Sequence, residues 1–399
     1  MTRHWHPSPM HRLLLHAALD QGPTAARAWS TWKAQGGDVQ AADHASGRLF
    51  ALVAKNLADN GVPEPELDRL RGVRRRSWVE HTNLMRRLAP YAAALVRQGL
   101  PVLFLKGIVL APLYYGEVGL RSFSDIDVLV KPEDVPRAVR ALAAVGLRSH
   151  PSTPGTLAQA TTGETNLADE GFRHGLAFVD GEGLELDLHW AVLHTHIGPE
   201  SDVALWRRAV PCSIAGIDGF TLAPCDHLLH VIVHGLAYSA QPSLGWVADV
   251  LTIMRARGAD IDWPAFVAEV KQRGLEPPVF EALTYLMDEF GAPLPNGVLT
   301  SFAKPWPLMA RLRHSELMHE WGDVRTPWGV FAELSRHTSG RPPAAAMAVA
   351  ARFFKHRIDY TRPLFAAKQL ARPILLLLPR RMRSAVRAWG RTFNSSRSG

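Results

Sequence analysis

Between Pro101 and Val130 the chain reads PVLFLKGIVLAPLYYGEVGLRSFSDIDVLV, and the Asp-Ile-Asp near the end of that block constrains the fold more than any other feature. A strand over residues 124–130 turns alternate side chains to opposite faces, so Asp125 and Asp127 share one face while Ile126, Val128 and Val130 point into a core. Two carboxylates held that close repel unless a cation joins them. Hard oxygen ligands at this spacing suit Mg²⁺ shared between protein and substrate phosphates. Upstream, residues 102–105 form a short apolar run of the buried-strand type, stopped by Lys106-Gly107. A glycine there lets the backbone pass close to a phosphate, and the lysine offers a point charge. A helix-like stretch over 108–115, a turn over 116–119, Arg121 and Ser124 then lead into the aspartate strand.

Metal-assisted transfer needs a further carboxylate for the metal nearest the attacking oxygen. Residues 174–190, HGLAFVDGEGLELDLHW, read as a hairpin whose second strand alternates, with Glu185, Asp187 and His189 on one face and Leu184, Leu186 and Leu188 on the other. Asp187 is the expected third ligand. The competing reading is a solvated hairpin face with no metal.

The order strand, Lys-Gly, helix, Arg, strand with D-x-D resembles the nucleotidyltransferase fold of the DNA polymerase β superfamily. Where that superfamily usually carries Gly-Ser, this chain has Lys106-Gly107, which is similar to an uncharacterised branch with the pattern L-K-G, then Tyr, then R-x-x-x-D-I-D-[LV]-L-V. The branch also carries an Asp followed by His-Trp, as in Asp187 to Trp190, and a Leu-rich helix with a late His followed by Trp-x-x-Asp, as in His234, Trp246 and Asp249. The resemblance extends over residues 10–255. It implies an α+β fold, a mixed sheet with helical regions before and after it. The implied activity is transfer of a nucleoside monophosphate from an NTP, with Mg²⁺ or Mn²⁺, to a small-molecule, peptide or protein acceptor with release of pyrophosphate. In that scheme Asp125 and Asp127 hold both metals, and Asp187 holds the catalytic one and draws the acceptor's proton. Lys106, Gly107 and Ser124 meet the nucleotide, and Arg121 neutralises charge on its phosphates. His189, His234 and Asp249 line the substrate pocket, with His234 and Asp249 expected to bond to each other. The alternative is a nucleotide- or peptide-binding protein that keeps the fold without the chemistry.

Length and periodicity divide the chain into a helical region over 1–92, a catalytic core over 93–220, a second helical region over 221–335 and a basic tail over 336–399. Residues 81–98 read as a helix entering the core. Pro132 marks a helix start and Gly146 its stop, and the Thr-, Gly- and Ala-rich stretch 151–171 reads as a mobile loop over substrate. From Arg341 onward 13 Lys and Arg face the single acidic Asp359, whereas the rest carries 32 basic against 36 acidic residues, so the net charge of +8 belongs to the tail. That tail suits peripheral contact with an anionic membrane or an acidic partner, and its last residues read as disordered. No motif for specific nucleic-acid recognition accompanies it.

The two cysteines, Cys212 and Cys225, make no disulfide framework, and neither a secretory pattern nor a run of about 20 apolar residues is present, so a cytoplasmic protein is expected. The absence of G-x-S-x-G, P-loop and G-x-G-x-x-G patterns removes the main support for serine hydrolase, P-loop kinase and Rossmann readings. A zinc site from His174, His189, His194 and His196 lacks the usual partner Glu on a helix.

Overall fold

The computed structural model describes residues 5–62, 67–151, 167–170, 173–194, 196–198, 200–237, 243–308, 310, 311, 314 and 343–357. At its centre is a seven-stranded mixed sheet: β1 (Leu103–Leu105), β2 (Ile126–Leu129), β3 (Arg148–Ser149), β4 (Gly175–Val179), β5 (Glu185–His189), β6 (Val210–Ile214) and β7 (Ile217–Thr221), in the order β3-β4-β5-β2-β1-β7-β6. β1 runs antiparallel to β2 and parallel to β7, while β2 runs parallel to β5 with Asp127 opposite Asp187. Short central strands covered on both faces need near-continuous apolar runs, and Leu103, Phe104, Ile126, Val128, Leu186 and Leu188 are all fully buried. This is the α+β architecture expected.

Helices α1 (Pro9–Leu19), α2 (Pro23–Ala34), α3 (His44–Gly47), α4 (Phe50–Asp59) and α5 (Leu67–Arg97) precede the sheet. Ser8 caps α1 by accepting from His11 N, and Pro9 fills the first turn, where a missing N–H costs nothing. α5 begins far upstream of the expected residue 81 and continues through Pro90. Its first half is so rich in arginine that the apolar period is thin, yet Leu67, Leu70, His81, Leu88, Ala92 and Leu95 bury one face of a single helix.

The stretch 108–115 divides: α6 (Gly107–Leu110) is followed by a π-helical turn, Ala111–Tyr115, that ends at the left-handed Gly116. A wider turn accommodates Pro112 and swings Tyr115 inward. The aspartate strand is shorter than expected, so Asp125 lies just before β2 rather than in it.

α7 (Val135–Ala144) follows the 3-10 turn at Pro132, and α8 (Val203–Arg208) precedes β6. Next come α9 (Pro224–Leu236), α10 (Gly245–Arg257), α11 (Trp263–Gln272) and α12 (Glu276–Phe290). α9 and α10 cross so closely that a Cβ on Gly235 would run into the Trp246 side chain, and α10 carries Asp249 to Tyr115 and Arg121.

The chain divides into two units, Met1–Met318 and His319–Gly399. In the second, the described residues form one helix, α13 (Pro343–Arg357). The expected loop over 151–171 lies outside the described residues apart from Pro151 and the turn Leu167–Glu170, as does the basic tail beyond Arg357. Among the described residues no helix is long and apolar enough to cross a membrane.

Candidate active site

Because β2 and β5 are parallel and in register, Asp127 and Asp187 stand side by side, with His189 one pleat further along the same face. Asp127 is 1% exposed. Its Oδ1 accepts from Lys106 Nζ at 2.6 Å and from His189 Nε2 at 2.8 Å. Burial opposes ionisation of Asp127, but the Lys106 ammonium and the His189 ring outweigh it and hold the carboxyl well below its usual range. Burial likewise opposes the charge on Lys106, which Asp127 and then Asp125 restore, so its pKa rises. Asp187 has no hydrogen-bond partner among the described residues. Burial raises its pKa, offset in part by His189, and the neighbouring Asp127 adds to the rise.

Among the described residues, Asp127, Asp187 and His189 form the one group of three or more metal-competent side chains, with one ligand atom each lying within 4.8 Å of the others. His189 Nδ1 is buried and without a partner there. The donor set of two carboxylates and an imidazole suits a divalent cation, and the ammonium of Lys106 already holds a positive charge against Asp127. Asp125, half-buried and unpaired among the described residues, adds its charge nearby.

The Lys-Gly turn has a steric logic. Lys106 adopts φ 51°, ψ −134°, a conformation that L-residues avoid and glycine takes freely. Holding a lysine there costs on the order of 1–3 kcal/mol, and such strain collects at functional sites. The following residue must be glycine for a different reason: a Cβ on Gly107 would run into the side chains of Phe123 and Arg121. Ser124, exposed, completes the approach to Asp125.

Arg121 is occupied. Its Nε and Nη2 donate to Asp249, the latter at 2.9 Å, and Tyr115 Oη donates to the same carboxylate at 2.7 Å. The partners of Asp249 are therefore Arg121 and Tyr115 rather than the expected His234. His234 is exposed on α9 and feels the charges of Lys106 and Asp127. His174 packs 5.4 Å from the His189 ring and 6.0 Å from that of His194; burial, with His189 and His194, pushes its pKa well below the ordinary value. The rings of His174, His189 and His194 thus gather on the Asp127 side of the sheet. His196 is turned elsewhere, onto the Arg273 carbonyl at 2.6 Å, so the His-x-His pair does not assemble as a zinc site.

Two contributors escaped the sequence reading. Tyr115 sits at a π turn that no periodicity announces. Arg48 follows α3, 73 residues before Arg121, and its Nη2 donates to the Ser122 carbonyl. A separate cavity of about 470 Å³ opens at the opposite ends of β1, β2 and β5, between Lys131, Trp190 and Trp206, away from the carboxylates.

A family model described as an uncharacterised nucleotidyltransferase matches residues 41–291, more than half of the chain, and the chain belongs to that family. The match begins just before Arg48 and spans every strand of the sheet. No curated protein matches the chain.

Proposed function

We propose that this member of the uncharacterised nucleotidyltransferase family moves a nucleoside monophosphate from an NTP to a hydroxyl-bearing acceptor, a small molecule, peptide or protein, with release of pyrophosphate. One observation carries the reading: Asp127 and Asp187 lie in register on adjacent strands, one clasped by a strained lysine and the other without a partner among the described residues. Asp127 and Asp187 would hold Mg²⁺ or Mn²⁺, with Asp125 at the mouth, and the ion would supply charge neutralisation at the phosphates. His189 fixes the Asp127 carboxylate by donating to it. Lys106 has the reach and the charge to pass from Asp127 to a phosphate. Asp187, without a partner among the described residues, takes the acceptor's proton as the acceptor oxygen bonds to the α-phosphorus and the bond to pyrophosphate breaks.

The test incubates the protein with each NTP and Mg²⁺ or Mn²⁺, alone and with small-molecule, peptide and protein acceptors, and follows nucleotide addition by mass spectrometry and pyrophosphate release. Metal-dependent NTP binding with transfer is the expected result, abolished by Asp187→Asn while NTP binding persists. NTP binding without transfer to any acceptor points to the binding-protein alternative. Affinity for NTP that ignores metal would sink the metal-assisted reading.

A further inference from the structure

Two guanidinium groups converge on one backbone oxygen beside the aspartate strand. Arg48 Nη2 lies 2.8 Å and Arg121 Nη1 3.4 Å from the Ser122 carbonyl. Their circumstances differ. Arg121 is mostly buried and already neutralised by Asp249. Arg48 is exposed, and among the described residues no carboxylate lies within ion-pair distance of it. Although its side chain reaches solvent, the protein packed around the guanidinium strips part of its hydration, and this and the like charge of Arg121 lower its pKa, with Asp125 and Asp249 offsetting them in part. A positive pair with only one counter-charge in contact is relieved by an arriving anion.

From this convergence we propose that Arg48 is the guanidinium that receives the polyphosphate of the nucleotide, while Arg121 acts as a positioning residue, spacing Arg48 and the Ser122 carbonyl through its clasp on Asp249. The inference rests on the nucleotidyl-transfer reading and deepens it. The anchoring of Arg48 fits such a role. Asp43 caps α3 by accepting from Ser46 N, and Leu49 and Phe50, the next two residues, are buried at the start of α4. The backbone is therefore held while the side chain faces solvent. A planar fork of permanent charge matches phosphate oxygens two at a time. Ser122 precedes Asp125 by three residues, so an anion seated on Arg48 lies beside the carboxylate end of the strand.

The experiment titrates the full chain, Arg48→Ala and Arg48→Lys with ATP, pyrophosphate and AMP in the presence of Mg²⁺, by calorimetry, and records thermal melting of each. Arg48→Ala is expected to lose about tenfold in affinity for ATP and for pyrophosphate, to keep its AMP affinity and melting temperature, and to regain part of the loss as Arg48→Lys. ATP and pyrophosphate binding unchanged in Arg48→Ala overturns the assignment and leaves nucleotidyl transfer standing. An equal loss for AMP, or a lowered melting temperature, assigns Arg48 a structural role and overturns it as well. A parent chain that binds neither ATP nor pyrophosphate overturns nucleotidyl transfer and this inference together.

Discussion

Two ionic clusters in this molecule each gather three carboxylates around two basic side chains and end in opposite states. In the first, Arg208 at the end of α8 donates to both oxygens of Asp226 on α9, at 3.0 and 2.8 Å, and to Glu269 on α11 at 2.8 Å. Arg273 donates to the other Glu269 oxygen at 3.0 Å and to Asp202 at 3.2 Å, whose second oxygen accepts from Val192 N at 2.7 Å. All six carboxylate oxygens are taken. In the cleft cluster three carboxylates offer six oxygens as well, yet only Asp127 Oδ1 has partners among the described residues. A saturated network has nothing left to give a ligand and ties helices together. An unsaturated one keeps its ligand capacity, and its desolvation cost is recovered when something binds.

The largest effect that tests this contrast is in the closed network. Glu269→Ala removes the carboxylate shared by Arg208 and Arg273 and is expected to cost about 3–5 kcal/mol in urea unfolding, while the Mn²⁺ affinity of the cleft stays the same. A cost under about 1 kcal/mol would show that the network is not what holds α8, α9 and α11 together.

Asp127→Asn is expected to cost less, about 1–3 kcal/mol, because Lys106 keeps Asp125 and Asp187 nearby, and to abolish metal binding. Its pH dependence has a definite sign. A carboxyl whose folded pKa is depressed contributes stability above the ordinary carboxylate range and loses it only as the pH falls through the lower folded value. The gap between parent and variant should therefore persist through mildly acid solution and close only in strong acid. Urea titrations at several pH values measure it, and a gap that opens only in acid contradicts the pairing.

The smallest effect is the most discriminating. In metal-free protein at pH 7, Asp187→Asn should stabilise, by less than about 1 kcal/mol, because ionising the buried Asp187 is unfavourable. A raised carboxyl contributes its stability below the ordinary carboxylate range and loses it as the pH rises through the folded pKa, so the advantage of the variant should vanish in acid. Adding Mn²⁺ should reverse the order at pH 7 by stabilising the parent alone. If Asn destabilises the metal-free protein at neutral pH, Asp187 has a partner in solution and the cleft is closed like the other cluster.

The elements that carry the carboxylates were legible because they obey local rules. Leu184, Leu186 and Leu188 alternate with Glu185, Asp187 and His189, and a period of two can satisfy a half-buried strand in only one way. The Lys106-Gly107 turn was equally visible as a departure from Gly-Ser, although its strain was not, since φ is not written in residue identity. The pairing of Arg121 with Asp249 was hidden for a long-range reason. A guanidinium 128 residues from Asp249 finds it only once α9 and α10 cross over Gly235 and the π turn delivers Tyr115. Arg48 carried no signal at all, as one arginine among many at the end of a four-residue helix.

By itself, then, the sequence determined that Asp127 and Asp187 sit on strands and share their faces with polar rather than apolar positions, because side-chain alternation is a property of the local backbone. It did not determine where β2 begins, and so the place of Asp125. Only the tertiary structure decided that β2 and β5 would lie parallel with Asp127 opposite Asp187, that Lys106 would bond to one of them, and that Arg121 would pair with Asp249. Register, partner choice and burial depend on which segments meet, and the free energy of an ionised side chain is set by those neighbours rather than by its own residue type.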